Sequence, residues 1–249
     1  MRLTETGVWF QSVARELLAQ VGRVPGEARA VAESTSNSLR FAATHALSFT
    51  FMPGWLRGLD AHTMGGTIQL ESDMVHRCEA LLEQRKVQFV MCHAHPQAPG
   101  RLQVEGYPSV QIGGDVLIPV STVDANGHPL HLLKSSDPPV HLLTYSNESG
   151  LGQILRETRF GALEKIAKQT PFTAHLASVL RTMVLDGRGI AWLPKSLINE
   201  DLACKRLVPA ASDDWCVDLE IRLFRDRTPM GRAAEALWSV VSQTSAQTK

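Results

Sequence analysis

The sequence predicts an α/β protein, with two lobes in series behind a long N-terminal helix. Three observations predict it. Residues 3–35 carry one helical apolar stripe. From residue 39, short apolar runs of strand length alternate with amphipathic stretches. A Pro- and Gly-rich segment at 94–115 then separates two such series. Strands alternating with helices imply parallel sheets joined by right-handed crossovers. The chain has 249 residues, 44% of them hydrophobic, enough for one large domain or two small ones.

The first element is a helix. Phe10, Val13, Leu17, Val21, Val24, Ala28 and Val31 recur with a mean spacing of 3.5 residues and polar flanks. That period belongs to helices that pair rather than to a lone surface helix. Pro25 starts a second helical stretch or marks a kink, because it lacks a donor and clashes with the preceding turn. "LRFAAT" (39–44) is a strand, and Thr44 is placed to cap the helix after it. That helix turns Leu47, Phe51, Trp55 and Leu59 inward and restarts at Pro53. "TIQLES" (67–72) and "VQFVMC" (87–92) are strands around a helix marked by Val75, Cys78 and Leu82.

Residues 94–115 read as loop. The second series begins at "VLIPVST" (116–122) and continues with a buried strand, "VHLLTYS" (140–146). A helix follows over 150–168, then strands at 172–177, 189–193 and 206–210, with a helix at 178–186 closed by Gly187. A late strand (219–226) and closing helix (229–244) are positioned to return to the first lobe, and the final SAQTK should fray. The expected division is a dimerisation helix over 1–37, a first subdomain over 38–115 completed by 222–249, and a second over 116–221.

Composition excludes several functions. Formal net charge is zero, whereas a self-sufficient nucleic-acid surface shows a basic excess. No run of about 18 apolar residues is present to span a membrane, and no apolar segment follows a basic start as in a secretion signal. Cys78, Cys92, Cys204 and Cys216 form no CxxC pair and read as reduced, mostly buried thiols of a cytoplasmic protein.

"LTETG" ahead of the long helix, then "LRFAATHALSFTFMP", then "VLDGRGIAWLPKSLI" resemble LysR-type transcriptional regulators in order and spacing along essentially the whole chain. The resemblance implies that LTETG closes a winged helix-turn-helix absent from this sequence, and that the long helix is the dimerising linker. It further implies two Rossmann-like subdomains of the periplasmic-binding-protein type II architecture, hinged by two crossing strands. "AATHALS" and "LDGRGIAWLP" resemble the hypochlorite-responsive, HypT-like branch; neither contains a methionine or cysteine, so no sulfur-based sensing residue follows from them. The implied partners are a small-molecule effector, further copies of the chain in a dimer or tetramer, and DNA through the absent domain. The rival with the same two-lobe plan is a periplasmic solute-binding protein; the leading helix and the missing secretion signal argue against it.

No GxGxxG, P-loop or GxSxG elbow occurs, and nothing pairs a nucleophile with a base, so neither an enzyme nor a bound cofactor is expected. Cys92, His93 and His95 in "MCHAHP" lack a clear fourth ligand for zinc and read as satisfied polar groups at a strand end. His128 and His131 read as solvated, as do the acidic pairs Glu200–Asp201 and Asp213–Asp214.

The small polar residues at strand-to-helix turns carry the functional expectation. In open α/β sheets, ligands bind beyond the carboxyl ends of strands, where helix N-termini offer free N–H groups to anions. Thr44, His45 and Ser48 lie at one such turn and Ser72 at another. Ser146, Asn147 and His175 lie at turns of the second lobe. These seven residues are the expected contacts of a small anionic effector held between the lobes, with His45 and His175 adding proton-dependent charge.

Overall fold

A computed structural model describes residues 4–33, 38–59, 67–133 and 139–247. Helix α1 (Glu5–Glu33) is followed by strand β1 (Leu39–Thr44), helices α2 (His45–Thr50) and α3 (Met52–Gly58), β2 (Ile68–Asp73), α4 (Val75–Glu83) and β3 (Phe89–Ala94). Then come α5 (Arg101–Val104), β4 (Ser109–Thr122), β5 (Val140–Tyr145), α6 (Gly150–Leu163), β6 (Lys168–Ala174) and α7 (Ala177–Leu185). The chain closes with β7 (Ala191–Pro194), α8 (Lys195–Ala203), β8 (Leu207–Pro209), β9 (Val217–Arg225) and α9 (Arg232–Gln247).

The larger sheet has the order β2-β1-β3-β9-β4-β7, with β8 also on β4. Strands β2, β1 and β3 are parallel, as the βαβ pattern requires. β9 then runs antiparallel between β3 and β4, so the sheet is mixed rather than wholly parallel. The late strand enters from the far lobe and meets its neighbours head to tail. The parallel pair β5–β6 joins β7 through a bridge between Leu142 and Ile190.

Strand alternation places a core on each face. In β1, Leu39, Phe41 and Ala43 face Leu47, Met52, Phe89, Leu237 and Val241. Ala42 faces Cys78, Leu82, Val90, Cys92 and Phe224. Two further clusters, around Trp192 with Leu117 and around Leu180 with Leu193, form the second lobe.

The segment read as loop at 94–115 is in fact largely ordered. It contains α5, and β4 begins at Ser109 and runs 14 residues without a break. Its glycines serve packing. A Cβ on Gly113 would lie 2.7 Å from the Phe51 ring, and the ladder to β9 shifts register between Gln111 and Gly113. A bulged strand that a neighbouring ring approaches closely needs glycine there as much as a turn does.

Helix α1 runs through Pro25 as one element. It touches the first lobe at Gly26, where a Cβ would lie 2.6 Å from the Gln84 carbonyl oxygen, and through Glu27, 3.0 Å from Arg85. The predicted helix ends at residues 3 and 34–35, the side chain of Val31 and the last two residues lie outside the described part.

Three polar readings are corrected. Asp201 is fully buried, not solvated: Arg181 and Arg206 hold its carboxylate at 2.5 Å and 2.6 Å. Burial of a charge is tolerated where cations pair with it. His131 is half-buried and bonded through Nε2 to the Gly187 carbonyl at 2.9 Å. Cys204 is exposed and Cys216 half-buried, while Cys78 and Cys92 are buried and burial pushes the Cys78 thiol up to about 12.

Candidate effector site between the lobes

The carboxyl ends of β1, β2 and β3 meet the N-termini of α6 and α7 around a cavity of about 60 Å³. That is room for a few water molecules or a ligand of a few heavy atoms. Thr44, His45, Asp73, Met74 and His93 line it from the first lobe; Glu148, Ser149 and His175 line it from the second. Neither Lys nor Arg is among these residues.

Thr44 has the extended backbone of an N-cap, φ −62° and ψ 145°, yet its side chain makes no cap bond. The expected capping role is therefore not what its hydroxyl does. Oγ1 is buried and has no partner. An unpaired buried hydroxyl costs about 1–3 kcal/mol, and a ligand can supply the missing bond.

Ser48 and Ser72, both expected contacts, stand behind His45 rather than at the cavity. Ser48 Oγ donates to the His45 carbonyl at 2.7 Å and lies 2.8 Å from Ser72 Oγ, which lies 3.1 Å from His45 Nδ1. Each hydroxyl has one proton. With Ser48 committed to the carbonyl, Ser72 donates to Ser48 and His45 Nδ1–H donates to Ser72. The ring is fixed, and Nε2 is its remaining polar atom.

In the second lobe, His175 reaches the cavity and Ser146 and Asn147 do not. The Ser146 hydroxyl is buried without a partner, while its carbonyl accepts from Ser149 N at 3.2 Å and Arg156 at 3.4 Å. Asn147 lines an adjoining groove of about 660 Å³ with His76, Glu79 and Gln153. Ser149, two residues on, lines the cavity and caps α6 by accepting from Gly152 N at 3.3 Å.

Asp73 and Ser149, polar residues at the same turns as the expected contacts, line the cavity; sequence reasoning missed Met74 and His93 there and Asp115 behind it. Of the three residues weighed as metal ligands, each is engaged elsewhere. Cys92 is buried in a core cluster, His95 Nδ1 accepts from Gln97 N at 3.1 Å, and His93 Nε2 lies 3.3 Å from Asp115 Oδ2. Burial alone would raise the Asp115 carboxyl. Hydrogen bonds from His93 and Ser196, the charge of His93 and the Val116 N–H outweigh it and hold the group below the ordinary carboxylate range.

Two lobes joined by crossing strands, with a small cavity at the strand ends, define an effector-binding module of the periplasmic-binding-protein type II architecture. Residues 32–246 match the model of the LysR substrate binding domain, and the chain belongs to that family. It is the effector-binding part of a LysR-type transcriptional regulator. A curated relative is the HTH domain-truncated transcriptional regulator QseD of Escherichia coli O157:H7, 25% identical over 240 residues, 96% of this chain and 94% of the relative. Among solved structures, full-length HypT of Salmonella typhimurium, titled a hypochlorite-specific LysR-type regulator, is 25% identical with a TM-score of 0.71, over 99% of this chain and 81% of that one. The bromide ion-bound HypT regulatory domain is 24% identical with a TM-score of 0.70, over 84% of this chain and 96% of that one. No helix among the described residues is long and apolar enough to cross a membrane.

Proposed function

We propose that the inter-lobe cavity binds a small anionic effector and that occupancy sets the relation of the two lobes. The observation that carries this reading is the buried, unpartnered Thr44 hydroxyl in a cavity that also receives His45, His93 and His175. A bound oxyanion or halide would take the Thr44 proton and face imidazoles and the N–H groups at the starts of α4 and α6. Asp73 and Glu148 oppose a highly charged ligand, and the volume admits only a few atoms. A monoanion suits both constraints.

No catalysis is assigned to the site. Ser196 Oγ and His93 Nε2 both point at Asp115, and no described contact joins the serine to the histidine as a nucleophile would require. Met74, half-buried in the cavity wall, supports a second reading. An oxidant entering the site meets its thioether first, whereas Met52 and Met91 are enclosed in the first core. We further propose the subdomain boundaries given above, a homo-oligomer paired through α1, and DNA contact through the family's helix-turn-helix.

Titration with sodium bromide and sodium formate tests the anion reading, with sodium gluconate, too large for the cavity, holding ionic strength constant. Ligand bound to the native state raises Tm by mass action. Bromide or formate should stabilise the wild type, and Thr44→Val and His175→Ala should each abolish most of the shift. Equal shifts in all three proteins with the fold intact would refute the site.

A further inference from the structure

We infer that Asp115 is the positioning residue of the inter-lobe cavity, tying His93 in the cavity wall to the first turn of α8 and, through Ser196, to α2. The inference rests on reading the cavity as the effector site. Asp115 lies on the long crossing strand β4. Its side chain is 2% exposed and that of His93 4%. Both carboxylate oxygens are engaged. Oδ1 accepts from Val116 N at 2.8 Å and Ser196 N at 3.1 Å. Oδ2 accepts from Ser196 Oγ at 2.6 Å and His93 Nε2 at 3.3 Å.

The contact with Ser196 N makes Asp115 the cap of α8. The residue ahead of that helix is Pro194, which makes no side-chain cap bond. A carboxylate supplied from another strand does the same work at the positive end of the helix. All four contacts are donors, so an amide of the same shape cannot replace the carboxylate. Its NH2 would face either the two backbone N–H groups or His93 and Ser196.

The Ser196 hydroxyl has a second neighbour. Thr50 Oγ1, at the end of α2, lies 3.2 Å away and donates its own proton to the Ala46 carbonyl at 2.8 Å. Ser196 has one proton to give, and the shorter contact with Asp115 takes it. When Asp115 is fully held by His93, that proton is needed less and can pass to Thr50. The Ser196 side chain is then bonded to α2 in the first lobe, while its N–H stays on Asp115 of β4. These are two discrete arrangements of one junction, and a ligand that changes how His93 meets Asp115 favours one of them.

The test uses the full chain labelled with ¹⁵N. Imidazole spectra report the His93 tautomer, and amide exchange at Ser196 and Leu197 reports the cap of α8. Wild type should show His93 protonated on Nε2, with bromide changing Ser196 exchange by about tenfold. Asp115→Asn should still bind bromide, read from the His45 and His175 signals, while Ser196 exchange no longer responds. A response equal to wild type overturns the inference. If Asp115→Asn fails to fold, Ser196→Ala takes its place: His93 should keep its tautomer and Leu197 should stop responding, and a wild-type response overturns the inference. Absence of any bromide effect on His45 and His175 in wild type counts against the anion site instead. The ligand-free comparison then decides the role of Asp115, since Asp115→Asn must either move the His93 proton to Nδ1 or speed Ser196 exchange, according to which way the amide faces. A variant that does neither overturns it.

Discussion

Helices α1 and α9 are built on the same plan, with apolar residues three and four apart and polar residues between. In α9, Ala234, Leu237 and Val241 are 0%, 0% and 4% exposed, packed on Phe41, Phe89 and Met91 of the first lobe. Trp238 stacks on Phe89 at 6.5 Å. In α1, Phe10, Leu17 and Val21 are 66%, 55% and 66% exposed, and Trp9 and Leu18 are 65% and 71% exposed. Among the described residues, it meets the rest of the chain at Gly26 and through Glu27. The difference teaches that periodicity decides which residues share a face, while topology decides what covers it. α9 follows β9, which inserts beside β3 and brings the helix over a finished sheet. α1 precedes every strand. An exposed apolar face of that size is a surface on which a partner packs.

The largest expected effect comes from breaking the covered stripe. Leu237→Ala removes a fully enclosed side chain and should cost about 2–5 kcal/mol in guanidinium unfolding, from lost transfer energy and the cavity left behind. Leu17→Ala, at an exposed position, should change the stability of the isolated chain by no more than about 0.5 kcal/mol. Equal costs at the two positions would mean that α1 is packed in the monomer after all.

The second effect is on assembly. With α1 as the pairing surface, light scattering at tens of micromolar should give a mass above that of the 27.3 kDa chain. Replacing Leu17 and Val21 by Asp puts charges into the seam and should return the mass to that of the monomer with the fold intact by circular dichroism. Monomeric wild type, or an unchanged mass in the double variant, would remove α1 as the interface and leave the comparison without its explanation.

The same contrast runs through what the sequence made legible. Strands 39–44 and 87–92 could be read because they are short, mostly apolar runs of strand length, and the helix restart at Pro53 because proline has one backbone preference. The first half of β4 was hidden. Its Gly113–Gly114 pair looks like a turn until Phe51, 62 residues earlier, is known to sit on it. Asp201 was misread because its burial depends on Arg181 of α7 and Arg206 of the turn after α8 closing over it. At the cavity, Thr44, His45 and His175 were within reach of the rule that ligands sit beyond strand ends. Asp115 was not, since it meets His93 and Ser196 across 22 and 81 residues, and no local pattern announces such a meeting.

The smallest effect sharpens the comparison through charge. Each helix has one described ion pair anchoring it to the first lobe. In α9, Glu235 receives Arg225 through two contacts, at 2.8 Å and 2.7 Å, and the Met230 N–H at 2.9 Å, while the Arg225 guanidinium lies 5.4 Å from the Trp238 ring centre. In α1, Glu27 is half exposed and meets Arg85 through a single contact at 3.0 Å. The hydrogen bonds from Arg225 are the main reason that the Glu235 carboxyl sits below its ordinary value; partial burial opposes them, and the Met230 N–H and the Arg225 charge reinforce them. A group whose folded pKa is depressed stabilises the native state above its unfolded pKa, about 4.3 for Glu, and that contribution is lost as pH falls through the folded value. Unfolding free energy should therefore decline on acidification below about pH 4.3, and Glu235→Gln should flatten part of that decline. The side chain is 40% exposed, so solvent screens the pair and the effect is small. Raising the salt concentration should weaken the Glu27 contact more than the bidentate one. Wild type and Glu235→Gln with identical acid limbs would show that α9 is held by Leu237 and its apolar neighbours alone, and that charge plays no part in what separates the two helices.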